Sequence, residues 1–418
     1  MVNVNDFKGL TDSDIIENAI KNKTNDGIVV ISPRESEVEP NRNYWLIDRA
    51  ILLPENTTVI LQNCMIKLSD KCRDNFFRTA NCGMGIEYPE KIKNVHLIGE
   101  GKCVLQGADH PRAVGDRTKT ISCPCPYEID DLCKMADWIP AERRTADKIE
   151  FMDRHSHSYG TDTGKEGESQ CGDWRGIGVL FANVEDFSIE NITIKDSHGW
   201  GISLEECSNG YISKINFDTC MSKEIDGMLH NMENQDGIDL RNGCHHITIT
   251  DITGRTGDDV IALTAIAGNE YRPGGTTKNT HVMHNDWTKR EKDIHDIIIR
   301  NVSAYSNLCW VIRLLPANTK IWNVVIDGII DNSPDDIVSH TLLLGKEDGA
   351  YGVNHPDSMQ NIIISNVVCN SDVGIIVDGY LSDSIISNVI NRKKGGGILK
   401  VARENGLKNV AISNLITN

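Results

Sequence analysis

The stretch NQDGIDLRNGCHHITITDITGRTGDDVIAL (residues 234–263) contains two copies of one pattern. The segment GIDL at 237–240 is followed 23 residues later by VIAL at 260–263, and ITITDI lies between them. In each short segment apolar residues alternate with residues of variable polarity, which is typical of a strand with one buried face. A repeat of this length is too short to bury its own apolar face, so successive copies are expected to stack as coils of a solenoid.

The same pattern continues from residue 178 towards the end of the chain. Its first strands are GVLF (178–181), GISL (201–204), GIDL (237–240), VIAL (260–263), VIRL (311–314), TLLL (341–344), GIIV (374–377) and GILK (397–400). Their second and fourth residues form two columns that run into the core and end at Ile398 and Lys400. The second strand of each repeat adds a column of isoleucines.

A turn signal follows each of these isoleucines by two residues. It consists of Asn191, Asp251, Asn301, Asn366, Asn388 and Asn414. Asn and Asp tolerate the left-handed backbone of a tight turn. We therefore predict an all-β fold, a right-handed parallel β-helix, capped by an amphipathic N-terminal helix over residues 11–21. Residues 1–418 are interpreted as a single domain with loop insertions near 108–172, 218–235 and 264–293.

Charge and composition exclude several classes of partner. The chain has 43 basic and 60 acidic residues and a net charge of −17, which argues against nucleic acid and anionic membranes as partners. No run of 18 apolar residues offers a membrane span. The sequence shows no signal peptide, and its 13 scattered cysteines suit reduced thiols, so we expect a cytoplasmic protein, or a secreted one if a signal peptide has been removed. A homo-oligomer stays open.

The position just before each first strand carries the candidate chemistry. In consecutive repeats it holds Trp200, Asp236, Asp259, Trp310 and His340. Asp236 and Asp259 should lie one coil apart, about 4.8 Å, with Asp258 beside them. Asp is also a common turn residue, but crowded carboxyl groups raise each other's pKa and can supply an acid and a base for glycosidic hydrolysis.

Further residues are candidates for binding a sugar substrate. Indole faces stack on sugar rings, and outward polar residues or loop histidines can bind hydroxyl groups. This set consists of Trp200, Trp310, Arg313, Asp239, His198, His284 and His340. His245 and His246 are interpreted as structural residues at the start of a strand. We identify no phosphate-binding loop, dinucleotide motif or convincing metal site, and expect no cofactor.

The motifs in 197–263, together with the N-terminal TDSDIIENAIK (11–21), resemble glycoside hydrolase family 28, the polygalacturonase-like enzymes. That family's signature is N-T-D-G-I-D followed by G-D-D on the next coil. The resemblance implies a pectate-lyase-type β-helix that hydrolyses glycosidic bonds with inversion. It also implies that Asp236 and Asp259 hold the attacking water and that Asp258 donates the proton, with carboxyl groups about 6.5–9.5 Å apart.

This sequence departs from the family pattern at three points. Gln235 replaces the family's Thr, and Cys309 begins the coil that would carry G-H-G. Of the family's R-I-K, Arg313 is present one coil too early and Leu315 stands in place of Lys. Because that Arg and Lys hold a galacturonate carboxylate in the family, the loss of one cation weakens the argument for a uronic acid at the cleavage site.

We therefore predict an inverting glycoside hydrolase that acts on a pectin-derived or related oligosaccharide. Two alternatives stay open. One is a β-helix lyase or epimerase acting on uronates, which would need a Ca²⁺ cluster or a base together with cations for the carboxylate. The other is a carbohydrate-binding solenoid without activity, in which three crowded carboxyl groups would serve no purpose.

Overall fold

The structure is a computed structural model of the chain. It describes residues 1–418 except 37–38, 71, 73, 84–85, 87, 111–175, 226, 233, 267–281, 283–291, 318, 336, 338–339 and 347–353. The predicted insertions at 108–172 and 264–293 therefore lie largely outside the described residues. Neither helix in the described ranges has the length and apolar character needed to span a membrane.

Parallel strands form two sheets that run along the molecule, as the repeat predicts. The short-strand sheet has ten strands, which are β4 (Ile51–Leu53), β7 (Phe77–Thr79), β10 (Val179–Ala182), β12 (Ile202–Glu205), β16 (Ile238–Arg241), β18 (Ile261–Ile266), β20 (Trp310–Ala317), β22 (His340–Leu344), β24 (Val373–Val377) and β26 (Gly397–Val401). Consecutive strands of this sheet belong to consecutive coils. The fold is therefore a right-handed parallel β-helix, and the prediction of its class is confirmed.

The long-strand sheet has fifteen strands. Twelve follow the coils in order, namely β1 (Val2–Asn3), β2 (Ile28–Ile31), β5 (Thr57–Gln62), β8 (Ile92–Glu100), β11 (Val184–Lys195), β13 (Ser208–Asp218), β17 (His245–Thr256), β19 (Ile294–Ser306), β21 (Ile321–Asp331), β23 (Met359–Cys369), β25 (Leu381–Asn391) and β27 (Leu407–Thr417). Three more strands branch from this path near the N-terminus, β3 (Trp45–Ile47), β6 (Met65–Leu68) and β9 (Val104–Gln106).

The apolar columns are paired as expected over most of the solenoid. Ile202 pairs with Ile238, and that residue with Ile261, and all three side chains are fully buried. The last coil differs, because Ile375 pairs with Leu399 and Ile376 with Lys400. The pairing register is thus shifted by one residue, yet Ile398 is buried in the core as predicted, and only Lys400, which is exposed, does not take its predicted core position. Gly395 and Gly396 precede this strand and Gly397 begins it, and none of them offers a side chain that would hold the register.

Turns and the N-terminal cap follow local rules. The six predicted Asn and Asp turn residues all have positive φ, from 53° to 59°. Their side chains form a ladder in which, for example, Asn388 Nδ2 donates to Asn366 Oδ1 at 3.1 Å. Helix α1 (Asp12–Lys21) begins after Thr11, whose hydroxyl accepts from Asp14 N while the Asp14 carboxylate accepts from Thr11 N. This capping box confirms the predicted start of the helix.

Candidate active site

Backbone hydrogen bonds place the candidate acids on neighbouring coils. Gly201 N donates to Asp236 O at 2.7 Å, and Gly237 N donates to Asp259 O at 2.8 Å. Val260 N continues the series by donating to Trp310 O at 2.9 Å. Asp236 and Asp259 are therefore stacked neighbours across one strand spacing of about 4.8 Å. The register predicted from the repeat holds at the point where the chemistry would occur.

A glycine permits this close approach of the coils. A Cβ atom on Gly237 would lie 2.4 Å from the carbonyl oxygen of Val260 and 2.9 Å from the ring of Phe217. Real Cβ atoms do not come so near to backbone, so only glycine fits between Asp236 and strand β16. The glycine of the D-G motif is thus required by packing between adjacent coils.

The turn with Asp258 is tied to the segment that carries Asp236. The backbone N–H groups of Gly257 and Asp258 both donate to the carbonyl oxygen of Gln235, at 3.1 and 3.2 Å. Asp258 Oδ1 in turn accepts from Asp259 N at 3.0 Å. These bonds hold the three acidic residues in one unit. Gln235, which the sequence marks only as a replacement for Thr, provides the link through its main chain.

Arg313 pairs with one acid of this unit. Its Nη1 donates to Asp259 Oδ2 at 3.0 Å, while Trp310 N donates to Asp259 Oδ1 at 3.0 Å. Both side chains of the ion pair are almost fully buried. The structure therefore places Arg313 against Asp259, and its predicted role in substrate binding stays a prediction. Leu315, which stands where the family has Lys, is buried.

Burial dominates the protonation of the two stacked acids. Burial, followed by the negative charges of Asp258 and Asp239, raises the pKa of Asp236 well above its ordinary value. Burial also raises the pKa of Asp259 to about 6, although Arg313 acts in the opposite direction. Asp258 is the most exposed of the three. The site therefore combines carboxyl groups that differ in protonation near neutral pH, which is what acid–base catalysis requires.

Asp239 adds a fourth carboxyl group next to the three candidate acids. It lies on strand β16, is buried, and burial raises its pKa well above the ordinary value despite the positive charge of Arg241. Within the described residues no donor reaches its Oδ2 atom. The guanidinium of Arg241 lies 4.7 Å from the ring centre of Trp200. Sequence reasoning missed Arg241, although the alternation along I-D-L-R places it on the same face as Asp239.

Cys309 is a second residue that sequence reasoning did not assign to the site. Its Sγ atom and one carboxylate oxygen each from Asp258 and Asp259 all lie within 4.8 Å of one another. Burial, together with the two carboxylates, raises the pKa of the Cys309 thiol, which is therefore neutral. A neutral thiol is a poor metal ligand. The positive charge that faces Asp259 is instead supplied by Arg313.

The aromatic and histidine candidates for substrate binding lie in different surroundings. Trp310 stacks on His340 with ring centres 4.5 Å apart, so the structure brings these two together. His198 is buried, accepts from Ala108 N at Nε2, and burial lowers its pKa to about 3. That bond makes His198 a link to the segment before the long insertion. His284 lies outside the described residues, and its predicted role stays a prediction.

Comparison with known proteins identifies a family that this chain is similar to. The model for "Glycosyl hydrolases family 28" matches residues 158–286, a range that contains Asp236, Asp258 and Asp259. This match confirms the predicted resemblance, and with it the prediction of an enzyme of the glycoside hydrolase class. A comparison with curated proteins found no significant match.

Solved structures share the fold. An exopolygalacturonase from Thermotoga maritima is 17% identical, with a TM-score of 0.53 over 100% of this chain and 92% of that one. An endo-xylogalacturonan hydrolase from Aspergillus tubingensis is 11% identical, with a TM-score of 0.52 over 98% of this chain and 89% of that one. At these identities the likeness establishes the β-helix architecture.

Proposed function

We propose that this chain is an inverting glycoside hydrolase that cleaves a pectin-derived or related oligosaccharide. The observation that carries the proposal is the convergence of Asp236, Asp258 and Asp259 at one end of adjacent strands, tied together by backbone hydrogen bonds. Inverting hydrolysis needs a protonated acid for the leaving oxygen and an ionised base for the attacking water. Three carboxyl groups in different surroundings meet that requirement.

Asp259 is the carboxyl group best suited to act as the base. Arg313 Nη1 and Trp310 N both donate to it, and a pKa of about 6 leaves it ionised at neutral pH. Asp236 lies on the next coil, and its raised pKa favours a protonated carboxyl group that can donate a hydrogen bond to the same water. Together the two residues orient the water, and Asp259 accepts its proton.

Asp258 is the proposed general acid. Its side chain is half-buried, so it is the member of the three that a substrate reaches most easily. Oδ1 accepts a hydrogen bond from Asp259 N, which fixes the orientation of the carboxyl group. As the bond breaks, the proton moves from Asp258 to the departing oxygen while water attacks the anomeric carbon from the opposite face.

The substrate class is supported by the surroundings of the acids. Trp200 and Trp310 flank the acids in the same column, and their indole faces suit sugar rings. Two solved relatives are named as an exopolygalacturonase and an endo-xylogalacturonan hydrolase. Arg313, the cation predicted to contact the substrate, is engaged with Asp259.

The cellular setting is also part of the proposal. In the described ranges nine cysteines carry free thiols, and seven of them are buried. Free thiols persist in a reducing compartment, which supports the cytoplasmic location expected from the sequence. A substrate encountered there would be a short oligosaccharide.

The test is a panel of oligosaccharides, including oligogalacturonides, incubated with the wild type and with Asp258→Asn. Asp335→Asn serves as a matched control, because the Asp335 side chain is 95% exposed. We expect reducing ends from the wild type and the control, and a loss of at least about 100-fold in the Asp258→Asn variant. NMR of the first product should show the inverted anomer.

Each alternative gives a different result in the same panel. A lyase would produce an unsaturated uronate that absorbs in the ultraviolet, and a binding solenoid would retain oligosaccharide without releasing reducing ends. Equal turnover by the wild type and Asp258→Asn would remove Asp258 as the acid. The absence of product from every oligosaccharide in the panel would remove the hydrolase proposal.

A further inference from the structure

A cluster of histidines lies at the start of the long strands, away from the acids. His245 and His246 begin strand β17, and His295 and Asp296 begin the neighbouring strand β19. The cluster follows strand β16, whereas Asp236 precedes that strand. One ligand atom each from His246, His295 and Asp296 lies within 4.8 Å of the other two. Imidazole and carboxylate together are a typical donor set for zinc.

His246 occupies a turn position that holds Asn or Asp in the neighbouring coils. Ten consecutive coils place a residue with positive φ here: Asn56, Asn94, Asp186, Asn209, His246, Asp296, Asn323, Asn361, Asp383 and Asn409. All except His246 are Asn or Asp, which hydrogen-bond along the ladder, as when Asn323 Nδ2 donates to Asp296 Oδ1 at 2.9 Å. A histidine is uncommon in this backbone conformation, and it lacks the side-chain amide that would hydrogen-bond along the ladder. Departures of this kind from a local rule often mark a functional residue.

The rings of the cluster are held in place by stacking. His295 lies between His245 and Trp322, with ring centres 4.9 and 4.3 Å away and planes within 13° of parallel. Asp296 is fixed from its other oxygen by Asn323. Two of the three donors are therefore oriented by neighbouring side chains. Such orientation lowers the entropy that a bound ion would cost.

The distances are close to those that a metal ion requires. Ligand atoms on a tetrahedral zinc ion lie about 3.4 Å apart, because each bond is about 2.0–2.1 Å long. His246 Nε2 lies 3.7 Å from Asp296 Oδ2, and His295 Nδ1 lies 2.7 Å from the same oxygen. A zinc ion would take the place of the hydrogen bond between His295 and Asp296, with the ring proton moving to Nε2. That contact would open by about 0.7 Å.

The third donor also has a suitable lone pair. His245 Nδ1 and His246 Nδ1 are 2.7 Å apart, so one of them carries a proton. With that proton on His246, the Nε2 atom of the same ring presents its lone pair near Asp296. The side chain of His246 is 56% exposed and that of Asp296 31%, so an ion can enter from solvent.

We propose that His246, His295 and Asp296 form a binding site for one divalent transition-metal ion of the zinc class. The ion would join strands β17 and β19, which pair as neighbouring strands of the long-strand sheet. The site is not expected to prefer Ca²⁺ or Mg²⁺, because imidazole is a poor donor for hard cations. The site is separate from the proposed catalytic acids.

The residues found at this position in other coils suggest variants that remove a metal-binding side chain and keep the turn conformation. His246→Asn and Asp296→Asn both introduce the residue that most coils use at this position, so both should fold. His96→Asn is the matched control, since His96 lies on the same sheet and bonds Ser188 and Asn94. Protein freed of metal by a chelator is titrated with ZnCl₂ by calorimetry, and melting curves in chelator verify the fold.

We expect the wild type and His96→Asn to bind Zn²⁺ equally and to melt at a higher temperature with it. Zn²⁺ affinity should fall at least about tenfold in His246→Asn and in Asp296→Asn, because altering even a supporting residue of a metal site commonly costs that much. A Co²⁺ spectrum without a thiolate charge-transfer band would separate this site from Cys309. Zn²⁺ binding that is absent in the wild type, or unchanged in both variants, would overturn the proposal.

Discussion

Replacing Arg313 with methionine tests the electrostatics of the candidate site most directly. The Nη1 atom of Arg313 lies 3.0 Å from Asp259 Oδ2, and both side chains are almost fully buried. Methionine has a similar length and carries no charge, so the change removes the ion pair with little loss of packing volume. Arg313→Lys is the matched control, because it keeps the positive charge and loses the planar donor.

The size of the effect follows from the distance and the burial. Two unit charges 3.0 Å apart attract by about 5.5 kcal/mol at an effective dielectric constant of about 20. Breaking a buried pair from one side costs about 3–5 kcal/mol, which corresponds to a rise of about 2–4 in the pKa of the partner. The pKa of Asp259, about 6 in the wild type, should therefore reach about 8 or more in Arg313→Met.

The assay is the pH dependence of kcat/KM on the best substrate from the panel. Because Asp259 must be ionised to accept a proton, the acidic limb should lie near its pKa of about 6 in the wild type. In Arg313→Met the limb should move up by about 2–4 pH units, so activity at neutral pH falls by about 10- to 1,000-fold. Arg313→Lys should move the limb much less.

Stability should change with pH in the same direction. A carboxyl group with a raised pKa stabilises the fold while it is protonated and loses that contribution as pH rises through the folded pKa. The free energy of unfolding of Arg313→Met, measured by urea denaturation, should therefore fall furthest below that of the wild type at neutral pH. The difference should be smallest near pH 4, where Asp259 is protonated in both proteins. An acidic limb that stays at its wild-type pH in an active Arg313→Met variant would refute the role of Asp259 as the base.

Two further predictions concern a carboxyl group and a turn. Asp236→Asn should abolish activity and raise the melting temperature near pH 9 more than near pH 4, because burial and Asp258 disfavour the charged form; melting curves at both pH values test this. Asn366→Ala should lower the free energy of unfolding by about 2–3 kcal/mol, since it strains a φ of 56° and breaks bonds to Asp327 and Asn388. Urea denaturation measures the second effect, and an Asn366→Gly variant that loses as much as Ala would show that backbone strain is not part of it.

Sequence periodicity predicts the fold well wherever side chains specify the register. Ile238 and Ile261 are 23 residues apart and pair as predicted, because both must enter the same core. At the last coil the pairing register is shifted by one residue, since Ile375 pairs with Leu399, although Ile398 is still the residue buried in the core. The branching of strands β3, β6 and β9 was also beyond the periodic pattern, since the early coils lack a regular repeat.

The sequence predicts where the acidic residues of the candidate site lie, but it does not predict the neighbouring residues that hold or contact them. Asp236 and Asp259 could be placed from spacing alone, because position within a coil follows directly from the repeat. The link through the Gln235 carbonyl depends on turn geometry, which spacing does not encode. The contact of Arg241 with Trp200 and the burial of His198 against Ala108 arise from packing between distant segments. A local sequence pattern does not predict contacts of this kind.

The proposed chemistry depends on the number of coils between Asp236 and Asp259. Each coil offers the same apolar rows, so duplication of a whole coil between strands β16 and β18 would leave a well-packed core. It would also set Asp236 and Asp259 about 10 Å apart, twice the spacing of neighbouring strands, and end their cooperation. A longer connection, such as the hairpin of β14 (Ser222–Ile225) and β15 (Met228–Asn231), instead adds residues outside the coils. An addition of that kind leaves Asp236 and Asp259 on adjacent turns of the solenoid.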